Sequence, residues 1–123
     1  MKALHTQDAP QPIGPYSQGI ETNGFIFLSG QIGSKPETGE MAASLAQQTH
    51  QIMKNIQAVL QSEGCSFSHV VKSTVYLKNM SDFAEFNKIY SEYFRENPPA
   101  RTTVEVSALP RNALIEIDII AHK

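Results

Sequence analysis

The chain has 123 residues, 41% of them hydrophobic, and a formal charge of -2 from ten Lys and Arg against twelve Asp and Glu. That length and apolar content suit one domain spanning residues 1–123 with its own core, and they exclude a disordered chain. The balanced charge, with no basic aromatic stripe, argues against nucleic acid as a partner, and no apolar run approaches the roughly eighteen residues needed to cross a membrane.

Met1 to Pro10 carries Lys2, His5 and Asp8 and lacks the apolar run of a secretory leader. Cys65 is the only cysteine. A cytoplasmic protein without internal disulfides is expected. Ala9 to Gly19 contains Pro10, Pro12, Gly14 and Pro15, which disfavour regular structure, so strands are expected only after this loop. Gly19 to Thr22 and Phe25 to Ser29 flank Asn23-Gly24, a pair that tolerates positive φ, and so predict a hairpin.

From Leu45 the period changes. Leu45, Ile52, Met53, Ile56, Val59 and Leu60 recur at helical spacing, with Gln48, Gln51 and Lys54 off that face, and the run ends at Gly64. Val70 to Leu77, rich in β-branched residues, predicts a strand. A second helix is expected over Asp82 to Phe94, with Asp82 capping and Glu85 reaching back, Phe83, Phe86, Tyr90 and Tyr93 on one face, and Pro98-Pro99 stopping it. Arg101 to Val106 and Leu114 to Ala121 alternate as closing strands.

The expected order is ββ-α-β-α-ββ: an α+β fold with two helices packed on one face of a mostly antiparallel sheet. The opposite face, shared by Leu114, Glu116 and Ile120, is neither fully polar nor fully apolar. Self-association is the simplest way to cover it.

Few residues stand out for chemistry. Arg101 opens a strand just after Pro99 and Ala100, where a guanidinium is aimed well enough to grip a carboxylate with two parallel bonds; an Arg ending in solvent is the alternative. Glu116 lies among Leu114, Ile115, Ile117 and Ile119, where an ionised carboxylate is costly unless paired or used. It is a candidate base, with Glu105 and Asp118 also eligible. Asn87 borders the apolar face of the second helix, where its amide should find a partner.

The segments Ile13 to Gly19 and Leu28 to Gly33 can bring backbone amides close to a ligand, but neither is a phosphate cradle. Ser17 and Ser29 lack the setting of an elbow nucleophile, and Cys65 reads as an inert thiol. His5, His50, His69 and His122 are dispersed, so no metal is expected.

Taken together, Gly14-Pro15-Tyr16-Ser17, Ser29-Gly30-Gln31-Ile32, Pro99-Ala100-Arg101 and Ile115-Glu116-Ile117 resemble the Rid (YjgF) family, in order and over essentially the whole chain. The resemblance implies a chorismate-mutase-like α+β fold and a homotrimer with clefts between subunits. It also implies cofactor-free hydrolysis of 2-imino and 2-enamino acids released by pyridoxal-phosphate enzymes. By the same resemblance Arg101 holds the substrate carboxylate, Glu116 positions or activates water, Tyr16 contributes to the cleft, and Ser29, Gly30 and Asn87 line it.

Thr103 stands where many members have a cysteine, and its hydroxyl can keep a lining role, since water attacking an imine needs orientation more than a protein nucleophile. Arg95 to Pro99 also departs from the family pattern, which bears on pocket size. Rival readings are a non-catalytic regulatory trimer that binds small carboxylates and an RNA-cleaving translation inhibitor. Chorismate mutase chemistry wants several cations for a dicarboxylate, and the chain has three arginines.

Overall fold

The computed structural model describes residues 1–123. Its strands are β1 (Lys2–Leu4), β2 (Gly19–Thr22), β3 (Phe25–Leu28), β4 (Val70–Leu77), β5 (Ala100–Glu105) and β6 (Ile115–His122), and its helices are α1 (Leu45–Gln61) and α2 (Phe83–Tyr93). All six strands join one sheet in the order β1-β2-β3-β6-β4-β5. Neighbours are antiparallel except β4 and β5, which run parallel and are joined through α2, because no tight turn can connect a parallel pair.

β1 corrects the expectation that strands begin after the proline-bearing loop. It pairs Lys2, Ala3 and Leu4 with Glu21, Ile20 and Gly19. Three residues are too few for alternation to show in a sequence; the pairing is made by the neighbour. Buried Gln18 then gathers the loop. Its side-chain nitrogen donates to the carbonyls of Thr6, Ala9 and Pro10 at 3.0 to 3.3 Å, and its oxygen accepts from Thr6 N at 2.7 Å. The β2–β3 hairpin turns on Asn23 and Gly24, both at positive φ as that turn requires.

A capping box starts α1: Ser44 Oγ accepts from Gln47 N at 3.1 Å and the Gln47 side chain accepts from Ser44 N at 3.3 Å. The apolar stripe is buried as its spacing predicts, but Gln48, placed off that face, is buried too. It donates to Ala42 O and accepts from Leu114 N, tying the helix to the segment before β6. Gly33 permits this approach, since a Cβ there would lie 2.6 Å from Gln48 Cα.

The capping box expected at Asp82 does not form. A 3-10 turn over Met80–Asp82 runs straight into α2, giving Asp82 near-helical dihedrals and no side-chain cap bond. Nor does Pro98-Pro99 end the helix, which stops earlier, at Tyr93.

The core lies between the helices and one sheet face. Ile115, Ile117, Ile119 and Ala121 of β6 point into it with Ser73, Val75 and Leu77 of β4, against Ile52, Ile56, Val59, Leu60, Phe86 and Tyr90. Burying side chains of this size stabilises the fold by about 1.5–3 kcal/mol each. Leu114, expected on the opposite face with Glu116, instead precedes β6 and packs partly buried against this core. The opposite face, free of helices, carries Ile20, Phe25, Phe27, Tyr76, Glu116, Asp118 and Ile120 at exposed or half-buried positions.

Candidate active site

The opening loop is held by Gln18, and it sets Tyr16 at the surface with its ring about half exposed (52%) and its hydroxyl accepting from Ile13 N at 3.4 Å. Beside it, Ser29 closes onto the same loop. Its amide donates to Gln18 O at 3.0 Å and its hydroxyl to Ser17 O at 2.6 Å. Gln31 then pairs with β6 through two backbone bonds to Ile117, at 2.8 and 3.1 Å, which lays Gly30 across Glu116. A Cβ at position 30 would run into the Glu116 carboxylate, whose Cδ would lie 2.9 Å away. Glycine is needed there for the close approach.

These segments enclose a cleft of about 380 Å³ lined by Tyr16, Ser29, Gly30, Ile32, Pro110 and Glu116. A second lobe of about 350 Å³ shares Tyr16, Gly30, Ile32 and Pro110 and extends to Gln31, Ser34 and Arg111. Arg111 and Asn112, both in the left-handed region at φ 55 and 57, turn the chain from this wall into β6. Such dihedrals are costly for residues with a Cβ and persist where the surroundings impose them.

Glu116 is half-buried and its carboxylate has no hydrogen bond or ion pair within the chain. Burial pushes its carboxyl above the usual carboxylate range, and the nearby Asp118 charge adds to the rise. Burial likewise raises Asp118, against the pull of a hydrogen bond from Tyr76 and the charge of Lys72. The expectation of a largely buried strand position is met in part, because the odd-numbered residues of β6 take the core and Glu116 takes the cleft wall.

Arg101 lies elsewhere. On β5, the outer strand of the sheet, it is in register with Ser73, whose side chain faces the helices. Its guanidinium carbon sits 4.8 Å from the centroid of the Tyr90 ring, 5.3 Å from Phe86 and 5.6 Å from Phe83, within cation–π range of all three. Tyr90 is in turn anchored by a 2.6 Å bond between its hydroxyl and that of Ser73. The guanidinium has no anionic partner in the chain.

Thr103 follows two residues on, in register with core-facing Val75, and its hydroxyl is the one buried side-chain polar atom left without a hydrogen-bond partner. Asn87, one turn beyond Phe83, is exposed and its side-chain amide makes no hydrogen bond, contrary to the partner its sequence position predicts.

The seven residues therefore form two groups. Tyr16, Ser29, Gly30 and Glu116 share the cleft; Arg101, Thr103 and Asn87 cluster by α2 on the other side of the sheet. Tyr76 is the cross-strand neighbour of Glu116, and Ser73, of opposite parity, is that of Arg101. Sequence reasoning missed the bed of rings under Arg101. Phe83, Phe86 and Tyr90 were visible as one helix face, but what that face meets depends on the β4–β5 crossover. It also missed Ile32 and Pro110, which carry no chemical signal of their own. No group of three His, Cys, Asp or Glu side chains is placed to hold a metal ion.

The endoribonuclease L-PSP family model matches residues 6–123. A RutC family protein of Pyrococcus horikoshii is 50% identical over 99% of this chain and 98% of its own length. The chain belongs to the Rid family. Its likeness extends to solved structures of the family: RidA from a Psychrobacter species, at TM-score 0.98 and 36% identity over 100% of both chains, and Escherichia coli TdcF with bound serine, at TM-score 0.96 and 36% identity over 100% of this chain and 99% of that one. The Rid fold expected from the sequence motifs is thus the fold observed. No helix of this Rid chain is long and apolar enough to cross a membrane.

Proposed function

We propose that this chain hydrolyses reactive 2-imino and 2-enamino acids to 2-oxo acids and ammonia, in clefts completed between the subunits of a homotrimer. The observation that carries the reading is the pair of unpartnered charges. One guanidinium is bedded on three rings and one half-buried carboxylate is raised in its cleft, and they lie on opposite faces of a single sheet. Neither charge is satisfied at home, and a second copy can bring the guanidinium group of one chain to the carboxylate group of another. The serine bound to the Escherichia coli relative supports a small amino-acid-like ligand.

In this reading Arg101 grips the substrate carboxylate with two parallel bonds, and Thr103 and Asn87 offer their unused polar groups beside it. Gly30 and Ser29 bound the space above Glu116, and Tyr16 closes the rim. Glu116 takes a proton from water as the oxygen bonds to the imine carbon and passes it to the imine nitrogen, giving a carbinolamine. It then takes the proton of the new hydroxyl and passes it to the amine as the C–N bond breaks and the C=O bond forms, releasing ammonia. An enamine first takes a proton at carbon to become the imine.

The test generates 2-iminopropanoate with an amino-acid oxidase and follows its decay. Wild type should accelerate decay, and Arg101→Ala and Glu116→Gln should each abolish most of the acceleration. Mixing the two variants after dissociation and reassembly should restore part of it, because some clefts then hold both intact groups. Full activity in both single variants would refute the roles; activity lost in both but never restored on mixing would refute the shared cleft.

The family description, endoribonuclease L-PSP, favours a second reading as an RNA-cleaving protein. A formal charge of -2 gives phosphate little attraction, and a steep salt dependence of RNA binding would be its signature.

A further inference from the structure

The helix-free sheet face holds a second carboxylate that the proposed reaction does not use. Asp118 follows Glu116 by two residues on β6, so both side chains leave the strand on the same face. Tyr76 of β4 stands directly across from Glu116 in the antiparallel register. From there its hydroxyl reaches diagonally and donates to Asp118 Oδ2 at 3.1 Å. All three side chains are half-buried. The other charged or titratable groups around them are Tyr16 from the opening loop, Lys72 from β4 and, in the adjoining lobe, Arg111, whose guanidinium donates to Gly39 O at 2.7 Å. The Lys72 ammonium is turned away, donating to Thr102 Oγ1 on β5 at 2.8 Å. The segment bridged to β6 on its other side contributes only the neutral Gln31 and Ser29. Two carboxylates thus leave β6 on one face, one of them bound by the Tyr76 phenol, with no cation paired to either.

We propose that Tyr76 and Asp118 form a positioning pair for Glu116: the phenol holds the Asp118 carboxylate beside the cleft, and that neighbour lets Glu116 take up a proton and return it in each turnover. The inference rests on the imine-hydrolysis reading of the cleft. Its chemistry follows from the reaction's own balance, since the proton that leaves water as the C–O bond forms must reach nitrogen before ammonia departs. A carboxylate that stays fully ionised accepts that proton poorly, whereas one destabilised by a like charge accepts it and still gives it back. The raised carboxyls of Glu116 and Asp118, and the Tyr76 phenol raised first by burial and then by Asp118, run in the direction this arrangement requires.

The experiment follows the Glu116 carboxyl by carbon-13 NMR across pH in wild type, Asp118→Asn, Asp118→Glu and Tyr76→Phe, alongside the pH profile of kcat/KM on 2-iminopropanoate. Asp118→Asn should lower both the Glu116 midpoint and the acidic limb of the profile by about half to one pH unit, with KM nearly unchanged. Asp118→Glu, which restores the charge, should bring both back toward wild type, and Tyr76→Phe should give a smaller shift. A Glu116 midpoint unmoved by Asp118→Asn in an intact assembly overturns the pairing. Should that variant fail to assemble, an unmoved midpoint in Tyr76→Phe overturns it instead. A midpoint that moves in a protein without any imine hydrolysis keeps the electrostatic pair and removes the reaction, so the two readings fail separately.

Discussion

Where α1 ends, Glu63 is clasped from both sides: Lys2 and Lys123 each donate to one of its oxygens at 3.0 Å, and its side chain is 7% exposed. On the helix-free sheet face Glu116 has a glycine above it, a second carboxylate beside it and no cation. The two lysine bonds, Lys2 first, hold Glu63 below the usual carboxylate range, while burial holds Glu116 above it. The clasp pins the first strand and the last residue to the end of α1, so its charges are spent on the chain itself. Those of the cleft are left for something that arrives from outside, and the same holds for Arg101 on its bed of rings.

The contrast can be broken from either end. Arg101→Ala should cost the most, lowering kcat/KM on an imine by about 30-fold to several thousandfold with little change in thermal stability. Gly30→Ala should follow: the new Cβ displaces the Glu116 carboxylate, and kcat should fall by up to about 100-fold in a protein whose circular dichroism is unchanged. At the clasp the outcome reverses. Glu63→Gln should leave kcat/KM intact and lower Tm by about 3–5 °C, the scale expected for losing two partly exposed ion pairs.

The pH dependence sharpens the same contrast. Glu63 is lowered by folding, so its stabilisation is present above its unfolded value and is lost as pH falls through the folded one. Glu116 is raised, so its ionisation burdens the fold, and stability should recover as pH falls through its folded value. Acid titrations of Tm should therefore lose their descending component in Glu63→Gln. Glu116→Gln, measured at neutral pH and fixed protein concentration, should gain about 1–2 °C while losing turnover. A drop in its Tm would mean that Glu116 serves the fold as Glu63 does.

Much of this molecule was legible because it is local. The α1 stripe from Leu45 to Leu60, the Asn23-Gly24 turn and the alternation of β6 from Ile115 onward each declare themselves within one short run of chain, and each is found. The failures are also local readings, undone by neighbours. Asp82 spaces correctly for a cap but enters α2 from a 3-10 turn, Gln48 reads as solvated yet is claimed by Ala42 and Leu114, and β1 exists only because β2 offers it an edge.

By itself, then, the sequence determined both helices and every strand but β1, the family motifs, and the identity of two charges that stand out from the rest. Only the tertiary structure decided that Arg101 and Glu116 stand on opposite faces of one sheet. A strand divides its residues by parity, and the parity of one strand relative to another depends on register and on the parallel crossover through α2, which sets Arg101 opposite Ser73 and leaves Tyr76 opposite Glu116. Those are pairings between distant segments, which no local pattern encodes.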